Sequence, residues 1–124
     1  MRILIVDDDV IIVELVQEFL SQLGHDVIPA SDGAECLRHL ATAPFDLVIT
    51  DLLMPGKEGI ETIFEIRKLY PKLPIIAISG GGKLSGNSLL VIAESAGADL
   101  ILQKPFTPEE IQNAVSTILD CTAP

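Results

Sequence analysis

Apolar positions recur along this chain with two alternating periods. Short β-branched runs at Ile3–Val6, Val27–Ala30, Leu47–Thr50, Ile75–Ile78 and Leu100–Leu102 predict five strands. Between them the spacing changes to that of helices. Ile12, Leu15, Val16, Phe19, Leu20 and Leu23 lie at i, i+3, i+4, i+7, i+8 and i+11, one apolar stripe, and Gly24 supplies a C-cap. Ser31-Asp32-Gly33 opens a second helix carrying Ala34, Leu37, Leu40 and Ala41, which Pro44 stops. A third runs from about Gly59 to Tyr70 with Ile63, Ile66 and Tyr70 on one side, and Pro71 ends it. A short helix is predicted over 88–96, ended by Gly97. Thr107-Pro108-Glu109-Glu110 is a capping box with proline at the first helical position. Ile111, Ala114, Val115, Ile118 and Leu119 form the last stripe.

Five repeats of strand then helix, joined by short links, imply right-handed crossovers and a parallel sheet covered on both faces. The expectation is an α/β fold with a single doubly wound five-stranded parallel sheet. The 124 residues suit one domain over 1–124, with an ordered core to about residue 120 and a tail at 121–124. Composition agrees: 48% of residues are hydrophobic and the mean hydropathy is +0.46, which excludes disorder and fits strands buried on both faces. No apolar run approaches the ~20 residues of a membrane span. The opening apolar run meets Asp7, Asp8 and Asp9 too early for a signal peptide. Eight basic residues against eighteen acidic ones leave a net charge of −10, which repels nucleic acid phosphates and argues against direct DNA or RNA binding. Cys36 and Cys121 have no metal-ligand spacing and suit a reducing, cytoplasmic compartment.

In such sheets ligands bind beyond the carboxyl ends of the strands, so the residues that follow each strand carry the chemistry. Strand one is followed by Asp7, Asp8 and Asp9, strand three by Asp51, strand four by Ser79 and strand five by Lys104. An Asp after a strand serves equally well as a helix N-cap. Three in succession repel one another, and a bound cation relieves that repulsion. Oxygen ligands without His or Cys point to Mg²⁺ rather than zinc. His25 and His39 read as ordinary surface or partly packed residues. Asp51 either opens the loop to Pro55 or completes a three-carboxylate cluster. A carboxylate is also a nucleophile toward phosphorus, giving an acyl phosphate, and Lys104 can supply a cation for the phosphoryl oxygens. The glycine-rich stretch from Gly80 to Gly86 is not a phosphate loop. Ala77 stands where a Walker A motif needs glycine, and Leu84 stands where it needs Ser or Thr; Ser85 likewise breaks the dinucleotide pattern.

Ile3-Leu4-Ile5-Val6-Asp7-Asp8, Asp51 with Met54-Pro55 and Gly59, Ser79-Gly80, and Lys104-Pro105-Phe106 together resemble the receiver domain of two-component response regulators. The resemblance covers essentially the whole chain. It implies a flavodoxin-like (βα)5 fold with strand order 2-1-3-4-5 and a phosphorelay function. Asp51 would be the phosphoacceptor, served by a phosphohistidine on a sensor histidine kinase or histidine phosphotransfer protein. Asp8 would bind Mg²⁺ directly, Asp7 mainly through water, and the Leu53 backbone carbonyl would be a further metal ligand beside Asp51. Ser79 and Lys104 would hold phosphoryl oxygens, and Lys104–Pro105 would be a cis peptide. The resemblance implies a switch that catalyses only its own phosphorylation and dephosphorylation. Its output surface would be built from the helix at 88–96, strand five and the final helix. That 88–120 face would serve a homodimer or an effector, with no nucleic acid or membrane contact.

Three features depart from the family pattern. Ile101 occupies the usual aromatic switch position, so no ring rotates there. Leu53 and Gly81 have no side chain able to orient an attacking water. The loop after strand four is longer than is common. Two rival readings stand beside the switch. One is an aspartyl-phosphate phosphohydrolase of similar fold, whose nucleophile and second acid would be Asp7 and Asp9. The other is a receiver-like scaffold that takes no phosphate.

Overall fold

A computed structural model describes residues 1–52, 59–79 and 97–122. Five strands form one sheet: β1 (Arg2–Val6), β2 (Asp26–Ala30), β3 (Leu47–Asp51), β4 (Ile75–Ser79) and β5 (Leu100–Gln103). All pairs are parallel and the order is β2-β1-β3-β4-β5. The described helices are α1 (Val10–Ser21), α2 (Gly33–Thr42), α3 (Gly59–Leu69) and α4 (Pro108–Thr122). The predicted helix at 88–96, the Gly80–Gly86 loop and Met54-Pro55 lie outside the described residues. No described helix is long and apolar enough to cross a membrane.

The strand pleat sorts the apolar runs onto two faces. Ile3, Ile5, Ile49, Ile76 and Ile78 pack with Val16 and Leu20 of α1 and with Ile111 and Val115 of α4. Leu4, Val6, Val48, Ile75 and Ala77 pack on the other face with Cys36 and Leu40 of α2 and with Ile63 and Ile66 of α3. Unbroken apolar strands are therefore required, and Ile3 to Val6 are fully buried. Pro29 is tolerated because β2 is an edge strand, where a missing N–H costs no ladder bond.

Two helical stripes sit differently from expectation. In α1 the buried residues are Val13, Val16 and Leu20, while Leu15 is 39% and Leu23 51% exposed. In α2 Cys36 and Leu40 are buried, Leu37 packs at the edge of the core, and Ala34 and Ala41 are exposed. Helix α1 ends at Ser21 with Gln22 as its C-cap, and Gly24 follows in the left-handed region at φ +89°. The capping box of α4 forms as predicted: the Thr107 N–H donates to Glu110 Oε1 at 3.2 Å and the Glu110 N–H donates to Thr107 Oγ1 at 3.1 Å.

The strand order creates the functional crevice. The chain steps outward from β1 to β2, then crosses back to β3 on the other side of β1. The connections therefore diverge at the carboxyl ends of β1 and β3, the switch point where α/β sheets bind ligands. Val6 is aligned with Thr50, so Asp7 and Asp51 emerge side by side.

Candidate functional site

Asp7 leaves β1 with its backbone N–H donating to the Ala30 carbonyl at 3.1 Å, which ties it to the end of β2. Its Oδ1 accepts the Asp9 N–H at 2.9 Å and its Oδ2 faces Lys104. Asp7 is 2% exposed and Asp51, the last residue of β3, is 5% exposed, whereas Asp8 is exposed. Each of the three offers a carboxylate oxygen, and these oxygens lie within 4.8 Å of one another. The expected cluster of Asp7, Asp8 and Asp51 is assembled. An all-oxygen set at this separation, with one exposed member giving access, fits a hard divalent cation.

Lys104 comes from the opposite side of the crevice. Its backbone N–H donates to the Ser79 carbonyl at 2.8 Å, which joins the ends of β4 and β5. Its ammonium donates to Asp7 Oδ2 at 3.1 Å and to Asp51 Oδ2 at 3.4 Å. The Lys104–Pro105 peptide is cis, as the resemblance implies. Ser79 is buried at the last position of β4, aligned with Gln103 and adjacent to Ile78, the partner of Asp51. Ser79 therefore stands at the same rim. The Leu53 carbonyl lies outside the described residues.

Burial sets the electrostatics. Loss of water raises the Asp7 carboxyl to about 6; the negative Asp51 adds to this, and the Asp9 N–H and Lys104 oppose it. For Lys104, burial works to lower the ammonium's pKa, but the Asp51 and Asp7 carboxylates outweigh it and hold the group above its usual value. The ammonium is thus a fixed cation at neutral pH.

Asp9 does other work. Its Oδ1 accepts the Ile11 N–H at 3.0 Å as the N-cap of α1. The two expected roles of an acidic run, cap and cluster, are divided between Asp9 and its two predecessors. No local sequence pattern encodes the pairing of Asp7 with Lys104, which joins positions 97 residues apart. Ile101, at the position of the absent ring, is half-buried against the α2/α3 face of the core.

The sequence model of the response regulator receiver domain matches residues 3–116. Among curated proteins, the chain is 36% identical over 118 residues to the alkaline phosphatase synthesis transcriptional regulatory protein PhoP of Bacillus subtilis, covering 95% of this chain and 48% of that protein. It is 36% identical over 124 residues to the response regulator MprA of Mycobacterium avium, covering 100% of this chain and 53% of that protein. The chain thus spans about half the length of these relatives. Among solved structures, the receiver domain of NtrX from Brucella abortus superposes with a TM-score of 0.89 at 32% identity, over 95% of this chain and 98% of that one. With the fold, the strand order and the sequence match in agreement, this chain belongs to the response regulator receiver domain family of two-component signalling.

Proposed function

We propose that the chain works as a phosphoryl-accepting switch, with Asp51 as acceptor and a phosphohistidine of a sensor histidine kinase or histidine phosphotransfer protein as donor. The observation that carries this reading is the Lys104 ammonium bonded to both Asp7 and Asp51 beside a three-carboxylate cluster. An Asp51 carboxylate oxygen forms a bond to phosphorus as the phosphorus–nitrogen bond to histidine breaks. The electron pair returns to the imidazole nitrogen, which takes up a proton. Lys104 holds one phosphoryl oxygen, and the Ser79 hydroxyl bonds another.

Asp8 would ligate Mg²⁺ directly, with Asp51 and the Leu53 carbonyl, and Asp7 mainly through water. Bound there, Mg²⁺ screens the charge of the incoming phosphoryl group. The chain acts as one domain over 1–124 and catalyses only its own phosphorylation and dephosphorylation. Leu53 and Gly81 give no side chain to orient a hydrolytic water, so the acyl phosphate is long-lived. Phosphorylation is read out on the face formed by 88–96, β5 and α4, by a second copy or an effector, with Ile101 adjusting as an aliphatic side chain. The free Cys36 thiol supports a reducing, cytoplasmic setting. The phosphohydrolase reading is disfavoured because the Asp9 carboxylate is engaged as a helix cap.

Incubation with a small phosphoramidate donor and Mg²⁺, followed by intact mass measurement, tests the proposal. One phosphoryl group is expected on the wild-type chain, removed by hydroxylamine and absent from Asp51→Asn. An adduct that persists in Asp51→Asn refutes Asp51 as acceptor, and no adduct in the wild type favours the scaffold reading.

A further inference from the structure

The end of the sheet remote from Asp51 carries a second concave feature. A groove of about 560 Å³ lies between the link that follows α2 and the link that follows α3. Leu40 and Phe45 line one wall; Leu69, Tyr70 and Leu73 line the other. Phe45 precedes β3 and Leu73 precedes β4, whereas Asp51 and Ser79 end those strands. At about 3.3 Å per residue the groove is roughly 20 Å from the acceptor carboxylate.

Both walls are fixed. Pro44 and Pro71 line them and restrict their backbones. The Asp46 N–H donates to the Arg2 carbonyl and the Arg2 N–H donates to Asp46 Oδ2, both at 2.8 Å, which ties the first wall to β1. Arg67 donates to the Pro71 carbonyl at 2.7 Å and to the Gly97 carbonyl at 2.6 Å, which ties the second wall to the entry of β5. A groove held this way spends little ordering entropy on binding. Leu69 is 61% exposed beside it.

Two cations border it in a chain of net charge −10, with the Asp46 carboxylate beside one of them. The Arg2 guanidinium lies over the Phe45 ring at 5.0 Å, and Lys72 lines the opposite wall. Among the described residues neither has an ion-pair partner, while Arg67 is taken by Asp99 at 2.8 Å and Asp46 holds the Arg2 backbone. Arg2 belongs to β1 and Lys72 leads into β4, two strand spacings apart, or about 10 Å. Carboxylates spaced along a peptide match two cations whose side chains are rooted that far apart.

We propose that this groove docks an acidic amphipathic segment of a partner protein, with apolar side chains between Phe45 and Leu69 and carboxylates on Arg2 and Lys72. Because the groove is remote from Asp51, docking is independent of phosphorylation. Random linear peptides displayed on phage and selected on the purified chain test this. Selected sequences should combine Asp or Glu with Leu, Phe or Trp. The leading peptide, dye-labelled and followed by polarisation, should bind Lys72→Glu about tenfold more weakly, as expected for reversing one close charge contact. Leu69→Ser should weaken it comparably, and Asp51→Asn should bind as the wild type does. Leu69 and Lys72 are exposed, so both variants keep the fold, and a thermal melt checks this. Selection without acidic bias, no selection at all, or equal binding by Lys72→Glu and Leu69→Ser overturns the proposal. So does displacement of the selected peptide by low concentrations of decanoate, which would assign the groove to small anionic amphiphiles.

Discussion

The Lys104 ammonium lies closer to Asp7 than to Asp51, at 3.1 Å against 3.4 Å. The cation therefore does two things at once. It faces a fully buried carboxylate of the three-aspartate cluster and stands beside the residue proposed to receive the phosphoryl group. Folding stability and chemistry are tied together through one side chain.

Removing that cation exposes the first half of the arrangement. In Lys104→Met the stem is retained and the charge is lost, so the buried Asp7 carboxylate loses its ammonium partner. Breaking a buried pair costs about 3–5 kcal/mol, and Lys104 is 21% exposed, so about 1–3 kcal/mol is expected at neutral pH without metal. Urea denaturation in EDTA measures it. Stability equal to wild type would contradict the pairing.

The Asp7 carboxyl gives a pH signature of definite sign. Its value is about 6 in the fold against 3.8 unperturbed, so the folded chain binds this proton more tightly than the unfolded chain does. Stability from this group therefore rises as pH falls from about 6 to about 4, and levels off below. At neutral pH the ionised form opposes folding by about 3 kcal/mol. In EDTA, Asp7→Asn should be more stable than wild type at pH 7, with the difference shrinking toward pH 4. Subtracting the two curves removes carboxylates of opposite behaviour such as Glu35, whose bonds from Ser31 hold it below the usual range. A difference that does not vary with pH would refute the assignment.

Asp8 is the exposed member of the cluster, so its loss leaves the core intact. Asp8→Ala should fold and melt at or above the wild-type temperature without metal, because one repulsive charge is gone. Mg²⁺ is expected to raise the wild-type melting temperature, and that shift should vanish in Asp8→Ala. A thermal melt with and without Mg²⁺ decides, and an undiminished shift in Asp8→Ala would exclude it as a ligand.

Two glycines separate backbone strain from crowding. Gly24 has φ +89° and nothing within 4 Å of an added Cβ, whereas Gly97 has φ +114° and meets Arg67 Nε at 3.0 Å and Cγ at 3.1 Å. Gly24→Ala should cost about 1 kcal/mol, the conformational term alone. Gly97→Ala should cost more, about 2–3 kcal/mol, because it also displaces the Arg67 guanidinium from the Gly97 carbonyl and Asp99. Equal losses in chemical denaturation would show that the Arg67 contact carries no weight.

The sheet and its rim were readable because β1, β3 and β4 are short, apolar on both faces and lead straight to Asp7, Asp51 and Ser79. Asp51, Ser79 and Lys104 needed only the rule that parallel strands deliver their carboxyl ends to one edge. The face of α1 was not readable in the same way. Val10, Ile11, Ile12, Val13, Leu15 and Val16 satisfy more than one helical stripe, and the stripe through Leu15 and Leu23 is turned away from the buried one through Val13. In α2 the small residues Ala34 and Ala41 carried little signal, and Cys36 took the core position. The burial of Asp7 and its hold on Lys104 depend on a contact spanning 97 positions, which no local pattern encodes.

Locating the acyl phosphate decides whether Asp51 is the acceptor. After phosphorylation with a small donor and Mg²⁺, borohydride reduces an aspartyl phosphate to homoserine, and peptide mapping finds the converted residue. Homoserine at position 51, lost when Mg²⁺ is omitted, is the predicted result. Homoserine at position 7 or 9, or at none, would refute Asp51 as the acceptor.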